Sequence, residues 1–373
     1  MHVIIALYKY MFWGGLQKDT LRLAEALHSR GHGVTVFTSE WNEPPAFINV
    51  EHVEANGFTN VGRMKSFSDA WTARLNQGGF DVSVAMERVP GADFYFVADS
   101  CMKTFYERKY PSWLLKLHPR YRYILDTERK VCGKDSRTVL WYISPFQKDD
   151  FKREYGTPDE RLFELPPGMN PKCIRPASDE AATTIRNTTR RELDIPKDAI
   201  VMVIVGSNIM RKGIDRMFKA ASALPDKWRS KVNLLLVGNL NRNEIEKIAT
   251  QNSLSGKYRL TGPRQDVEKL LLSSDIMVHP AREEGTGTVL VEGIASGIPV
   301  ICTACCGFSP IVKEAAGLVV QEPFVQEDLN TMLTNALENL DTLTASTREY
   351  ATHHDFTSRQ KVMVDCIEAH RNA

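Results

Sequence analysis

Several things are scarce in this 373-residue chain. It has almost no excess charge. Forty-seven Lys and Arg stand against 46 Asp and Glu, a formal net charge of +1, which argues against a protein that coats nucleic acid. It has no long uncharged run fit to cross a membrane. The nearest candidate, Gly285 to Val312, contains Glu292, Pro299, Pro310 and several glycines, which a membrane span would not carry. The N-terminus, Met1 to Leu7, lacks the basic lead and the length of a signal peptide and reads as a first β-strand. Seven cysteines form no regular framework, so reduced thiols in a cytosol are expected rather than a disulfide scaffold. Cys302-Thr303-Ala304-Cys305 has redox-motif spacing. No second pair completes a zinc site, and the thiols read as small hydrophobes after a buried strand. Internal repeats and low-complexity segments are absent.

What is present is ordinary globular composition, 43% hydrophobic and 25% charged, at a length that favours two domains. Apolar strands alternate with amphipathic helices, the pattern of parallel sheets covered on both faces. The first half offers strands at His2–Tyr8, Gly33–Thr38, Phe80–Ala85, Asp93–Ala98 and Thr138–Ser144. A helix follows Gly14-Gly15, with Leu16, Thr20, Leu23, Ala24 and Leu27 on one face, and Gly31 stops it. Leu165-Pro166-Pro167-Gly168-Met169-Asn170-Pro171 can continue neither a helix nor a central strand, so a hinge is expected there. After the polar stretch Ser178–Arg191 the alternation resumes, with strands at Ala199–Gly206, Val232–Gly238, Asp275–His279 and Ile298–Thr303, and a helical tail from Val325. The expected fold class is α/β: two Rossmann-like, doubly wound parallel sheets. Ligands of such sheets bind at the carboxyl ends of strands, here in a central cleft between facing halves.

Three loops carry chemistry. In Gly14-Gly15-Leu16-Gln17-Lys18-Asp19, two glycines admit a close ligand and a helix N-terminus offers amides to an anion. The third glycine of the dinucleotide fingerprint is missing, so ligand loop and plain tight turn both remain open. Gly206-Ser207-Asn208-Ile209-Met210-Arg211-Lys212-Gly213 joins a buried strand to a helix. Arg211 and Lys212 there can neutralise a diphosphate, or they form a solvated basic pair. In Glu284-Gly285-Thr286-Gly287-Thr288-Val289-Leu290-Val291-Glu292, two carboxylates stand eight apart around a turn and a helix start near Thr288. The first amides suit phosphate. Glu292, in an apolar helix, needs a partner, either ribose hydroxyls or an internal ion pair. Glu284 can accept from sugar hydroxyls or face solvent.

This third segment, continued by Ala295-Ser296-Gly297-Ile298-Pro299-Val300, resembles the donor signature of the large retaining GT-B glycosyltransferase family, and Arg211-Lys212-Gly213 and Gly14-Gly15 match its other donor elements in order. Within that family the chain is similar to the bacterial lipopolysaccharide core glucosyltransferases. Leu7-Tyr8-Lys9-Tyr10, Pro90-Gly91-Ala92-Asp93-Phe94-Tyr95-Phe96-Val97-Ala98-Asp99, Leu165-Pro166-Pro167-Gly168, Arg211 to Arg216 and Gln321-Glu322-Pro323-Phe324 carry that likeness. The resemblance implies a UDP-glucose donor, a lipid-anchored inner-core heptose acceptor and retention of anomeric configuration. It implies an acceptor domain over residues 1–166, with 354–373 packing back on it, and a donor domain over 167–353. Arg211 and Lys212 would hold the diphosphate and stabilise the leaving group. Glu292 would hold the ribose and Glu284 the hexose near its anomeric carbon. Amides of Gly287, Thr288 and Val289 would grip the donor, Gly14, Gly15 and Asp19 would close over it, and Arg264 would meet the nucleobase. Many relatives use a histidine after the fourth strand of the first domain. This chain reads Val97-Ala98-Asp99-Ser100 there, so Asp99 is either a catalytic-pocket residue or a helix N-cap.

No Asp-x-Asp occurs, the usual device for holding a divalent cation on a nucleotide diphosphate. No metal or other cofactor is expected, because Arg211, Lys212 and helix amides can supply the electrostatics.

Lys103–Lys134 departs from the neutral average. Nine Lys and Arg oppose three acids, 9 − 3 = +6, interleaved with Phe105, Tyr106, Tyr110, Trp113, Tyr121 and Tyr123. Bases with interfacial aromatics suit an anionic membrane surface; a solvated basic helix with a core stripe is the bland alternative. Together with the resemblance this predicts a cytoplasmic protein, peripheral on the inner membrane. A UDP-sugar 2-epimerase on the same fold is the competing enzyme reading, and a nucleotide-sugar-binding or scaffold protein the non-enzymatic one.

Overall fold

The computed structural model describes residues 1–10 and 15–371. The chain forms two compact units, Met1–Gly168 with Ser358–Ala373, and Met169–Thr357. Each is built on one parallel sheet.

In the first unit the strands are β1 His2–Ala6, β2 Gly33–Thr38, β3 Ile48–His52, β4 Val82–Ala85, β5 Phe94–Phe96, β6 Val139–Tyr142 and β7 Leu162–Glu164. Their order is β3-β2-β1-β4-β5-β6-β7. In the second they are β8 Ile200–Val205, β9 Val232–Val237, β10 Tyr258–Gly262, β11 Ile276–His279, β12 Val300–Thr303 and β13 Leu318–Val320, in the order β10-β9-β8-β11-β12-β13. Strands covered on both faces read as continuous apolar runs. Val3, Ile4, Ile5 and Ala6 of β1 and Val201 to Ile204 of β8 have no exposed surface.

Sequence periodicity picks out these central strands and passes over β3, β7, β10 and β13. The four are edge strands, short or half-exposed, so neither a long apolar run nor full burial marks them. In both sheets the order reverses beside the first strand, between β1 and β4 and between β8 and β11. Open α/β sheets bind ligands outside the carboxyl ends at such reversals.

The polar stretch from Ser178 forms a helix, Asp179–Glu192, whose first turn is capped by the Ser178 hydroxyl accepting from the Ala181 amide. It docks by charge rather than by an apolar stripe. Arg186 and Arg190 reach Asp275 at 2.5 and 2.7 Å, and Asp275 also accepts from the Val201 amide at 2.7 Å.

The terminal helix Arg359–Arg371 returns to the first unit and packs on the helix Gly15–Ser29. Arg359, 1% exposed, donates to the Pro166 carbonyl at 3.1 Å and to Asp19 at 3.3 Å. At the other end Glu368 takes Arg30 at 2.9 Å and His32 at 2.8 Å.

Candidate functional site

The second unit gathers its chemistry where the sheet order reverses. Beyond β8 the backbone makes a short helix, Ile209–Lys212, capped by the Asn208 side chain, which accepts from the Arg211 amide at 2.9 Å. Gly213 ends it in the left-handed region at φ 72°. A Cβ at Gly213 would lie 2.0 Å from the Pro280 carbonyl oxygen, so glycine is required for conformation and for space. That close approach draws the β8 loop against the loop that follows β11.

Lys212 and Glu284 meet there. The Lys212 ammonium donates to Glu284 Oε2, and both side chains are 11% exposed. His279, the last residue of β11 and fully buried, places Nε2 3.2 Å from the same oxygen. Burial is the largest influence on Glu284 and opposes its ionisation. The His279 hydrogen bond and the nearby Lys212 charge outweigh it, and the carboxyl sits at about 2. Burial pushes the His279 pKa down. A neutral ring that donates to Glu284 carries its proton on Nε2, and its buried Nδ1 has no hydrogen-bond partner.

The loop after Glu284 is clamped from beneath. Glu284 bridges Cys306 in parallel register, and the Phe308 amide donates to the Thr286 carbonyl at 2.8 Å. A Cβ at Gly307 would lie 2.1 Å from the Gly285 oxygen. Gly287 then starts the helix Thr288–Ala295 with no side-chain cap, so its first amides, including those of Thr288 and Val289, have no intrahelical acceptors. Glu292 lies one turn in and is half-buried. All seven cysteines are free thiols. A hydrogen bond with Cys306, and burial, push the Cys305 thiol up, far from a reactive thiolate.

The other sequence-selected residues are distributed as follows. Arg211 is exposed. Arg264, past the end of β10, forks onto Asp266 with two bonds of 2.7 Å. In the first unit, Asp19 is held by Arg359 and Gln360, a tether for the terminal helix. Gly15 opens the helix Gly15–Ser29, and Gly14 lies outside the described residues. Asp99 follows β5 with its side chain 74% exposed, 3.9 Å from Arg88. It is not an N-cap. Cys101 precedes the helix Met102–Lys109, and the amides of Met102 and Lys103 are taken at 2.8 and 3.0 Å by the fully buried Glu128.

Sequence reasoning missed His279, Arg88 and Glu128. Only His279 left a signal, a titratable residue closing an apolar strand five positions before Glu284.

The basic aromatic segment folds as three helices, Met102–Lys109, Ser112–Leu117 and Pro119–Cys132, around a small core of Tyr106, Leu115 and Ile124. Trp113 and Leu117 remain outside it, 62% and 70% exposed. Among the described residues no helix is long and apolar enough to cross a membrane.

Comparison with known proteins agrees with this layout. Residues 185–354 match the model of the glycosyl transferases group 1, and residues 13–172 that of glycosyltransferase family 4. The lipopolysaccharide glucosyltransferase WaaG of Escherichia coli is 34% identical over 375 residues, 98% of each chain. A crystal structure of WaaG, a glycosyltransferase involved in lipopolysaccharide biosynthesis, superposes with a TM-score of 0.88 at 32% identity, covering 98% of this chain and 99% of that one. Anabaena HepE in complex with UDP and glucose superposes at 0.74 with 15% identity over 99% of this chain and 100% of its own, a likeness of fold alone. The chain belongs to the group 1 glycosyltransferases, with their two Rossmann-like domains of the GT-B fold, and is itself a glycosyltransferase.

Proposed function

We propose that this enzyme transfers glucose, with retention at the anomeric carbon, from UDP-glucose to the inner-core heptose of lipopolysaccharide. The observation that carries the reading is the Lys212–Glu284–His279 cluster at the β8/β11 reversal. The near full-length relation to a lipopolysaccharide glucosyltransferase supports the sugar and the acceptor class.

Each residue then has a task. Glu284, ionised at neutral pH with Oε2 held by Lys212 and His279, offers Oε1 to hexose hydroxyls. When the diphosphate enters, Lys212 and exposed Arg211 face its charge, and the helix beginning at Thr288 contributes amides and dipole. Glu292 receives the ribose hydroxyls, and Arg264 flanks the nucleobase. As the C1–O bond to UDP breaks, negative charge builds on the leaving phosphate. Lys212 and Arg211 stabilise it without a metal ion. Attack comes from the same face, and the acceptor proton passes to the departing phosphate oxygen. Asp99 lines the acceptor pocket, beside Arg88. The helices between Lys103 and Lys134 lie on the cytoplasmic face of the inner membrane, with Trp113 and Leu117 in the interface.

The test is to incubate the purified protein with radiolabelled UDP-glucose, EDTA and lipopolysaccharide truncated after the inner-core heptoses. Label in the lipid fraction is expected. Free glucose or a converted nucleotide sugar, with unlabelled lipid, would overturn the acceptor assignment and favour an epimerase.

A further inference from the structure

The second unit carries a hollow at the amino end of its sheet, where β8, β9 and β10 begin. Its walls include Asp198, Lys231, Asn233, Ser255, Lys257 and Arg259, and its volume is about 390 Å³, enough for a small molecule. β8 and β9 have six residues each, a span of about 20 Å. A ligand held here stays clear of Arg211, Lys212 and Glu284, which follow the far ends of β8 and β11.

Asn233 is out of place among these walls. Val232, Leu234 and Leu236 of β9 pack into the apolar core. Side chains alternate along a strand, so Asn233 points to the opposite face. It is 5% exposed, and its buried Oδ1 has no hydrogen-bond partner among the described residues. Such an atom costs stability until a donor reaches it. The cations nearby are fixed without being neutralised. Arg259 donates to the Leu193, Asp194 and Tyr258 carbonyls at 2.8, 2.6 and 3.0 Å, and Lys257 donates to the Ser230 carbonyl at 2.5 Å. Lys231 is exposed, and its ammonium meets no acceptor among the described residues. Asp198 is the one acid on the walls against these three cations.

We propose that this hollow is a second ligand site, built for a small phosphorylated polyol. The phosphate lies on Lys231 and Lys257, whose ammonium groups have donors to spare. The hydroxyls lie on the Asn233 amide and the Asp198 carboxylate. A hydroxyl both donates and accepts, so it satisfies the amide in either orientation. The site is independent of which sugar and acceptor the enzyme joins.

The test is isothermal titration of the full chain with glycerol 3-phosphate, ribose 5-phosphate and inorganic phosphate, with thermal melts alongside. A polyol phosphate is expected to bind with a Kd below about 10 mM, and about 10-fold more tightly than inorganic phosphate. Saturating UDP leaves that affinity unchanged. Lys231→Ala, at an exposed position, weakens binding about 10-fold or more. Asn233→Leu, close in volume and without an unsatisfied atom, melts at or above the wild-type temperature and erases the preference over inorganic phosphate. Dihexanoyl phosphatidylglycerol separates the sources. Binding as tight as that of glycerol 3-phosphate supports the site with a lipid headgroup as occupant, and its exclusion while glycerol 3-phosphate binds supports a free metabolite. Absence of polyol phosphate binding, displacement by UDP, or inorganic phosphate binding equally well to the wild type overturns the assignment. Should Asn233→Leu misfold, Lys231→Ala carries the test, and wild-type affinity in that variant overturns it as well.

Discussion

Lys212→Met deletes a charge and keeps most of an aliphatic stem. Glu284, 11% exposed, would then keep a buried carboxylate with only His279 to face it. On folding its carboxyl falls from an ordinary 4.5 to about 2, which corresponds to about 3 kcal/mol of stability at neutral pH. The folded value is depressed, so this contribution is complete above 4.5 and is lost as the pH falls toward 2. Lys212 supplies part of it, and a loss of about 2–3 kcal/mol is expected from its removal. For a unit of this size that lowers the melting temperature by roughly 5–10 °C. Adding Glu284→Gln should recover most of the loss, because a neutral amide no longer needs the cation. Transfer stays abolished in both variants. The assay is thermal unfolding of wild type, both single variants and the double variant at pH 7 and pH 4. Lys212→Met melting within about 1 °C of wild type, or a double variant whose loss is the sum of the two singles, would refute the coupling.

Three further outcomes are expected. Gly213→Ala forces an L side chain to φ 72° and into the Pro280 carbonyl, at a cost of about 2 kcal/mol or more, read by urea unfolding together with loss of UDP-glucose affinity. Asp19→Asn leaves Arg359, 1% exposed, without its counter-charge and lowers stability by about 3 kcal/mol. A variant of wild-type stability that loses only donor affinity would contradict the tether role. The double variant Trp113→Ala/Leu117→Ala removes two largely exposed apolar side chains and should weaken sedimentation with anionic vesicles while leaving turnover on a detergent-dispersed acceptor unchanged.

The residues proposed for the donor were legible because they lie in two short runs. Arg211 and Lys212 are adjacent, and Glu284 and Glu292 share one loop and helix, so strand-loop-helix context alone singles them out. The partners of these residues were not legible. Lys212 reaches Glu284 only because β8 lies beside β11. Glu128 serves the amides of a helix 25 residues earlier in the chain. Asp19 reads as a donor contact beside Gly15, and its hydrogen-bonded cation, Arg359, lies 340 residues away on the terminal helix.

The sequence by itself determined what short-range chemistry dictates. Buried parallel strands show as unbroken apolar runs, helices as a 3.6-residue period, and turns as glycine and proline clusters. From these come two α/β halves and the loops at strand ends where ligands bind. Only the tertiary structure decided which charge answers which. Lys212 with Glu284, Arg88 with Glu128, and Arg190 with Asp275 are pairings across sheet order, made between residues distant in the chain. Coulomb energy depends on separation in space and on the dielectric at the site, and neither is written in the order of residues.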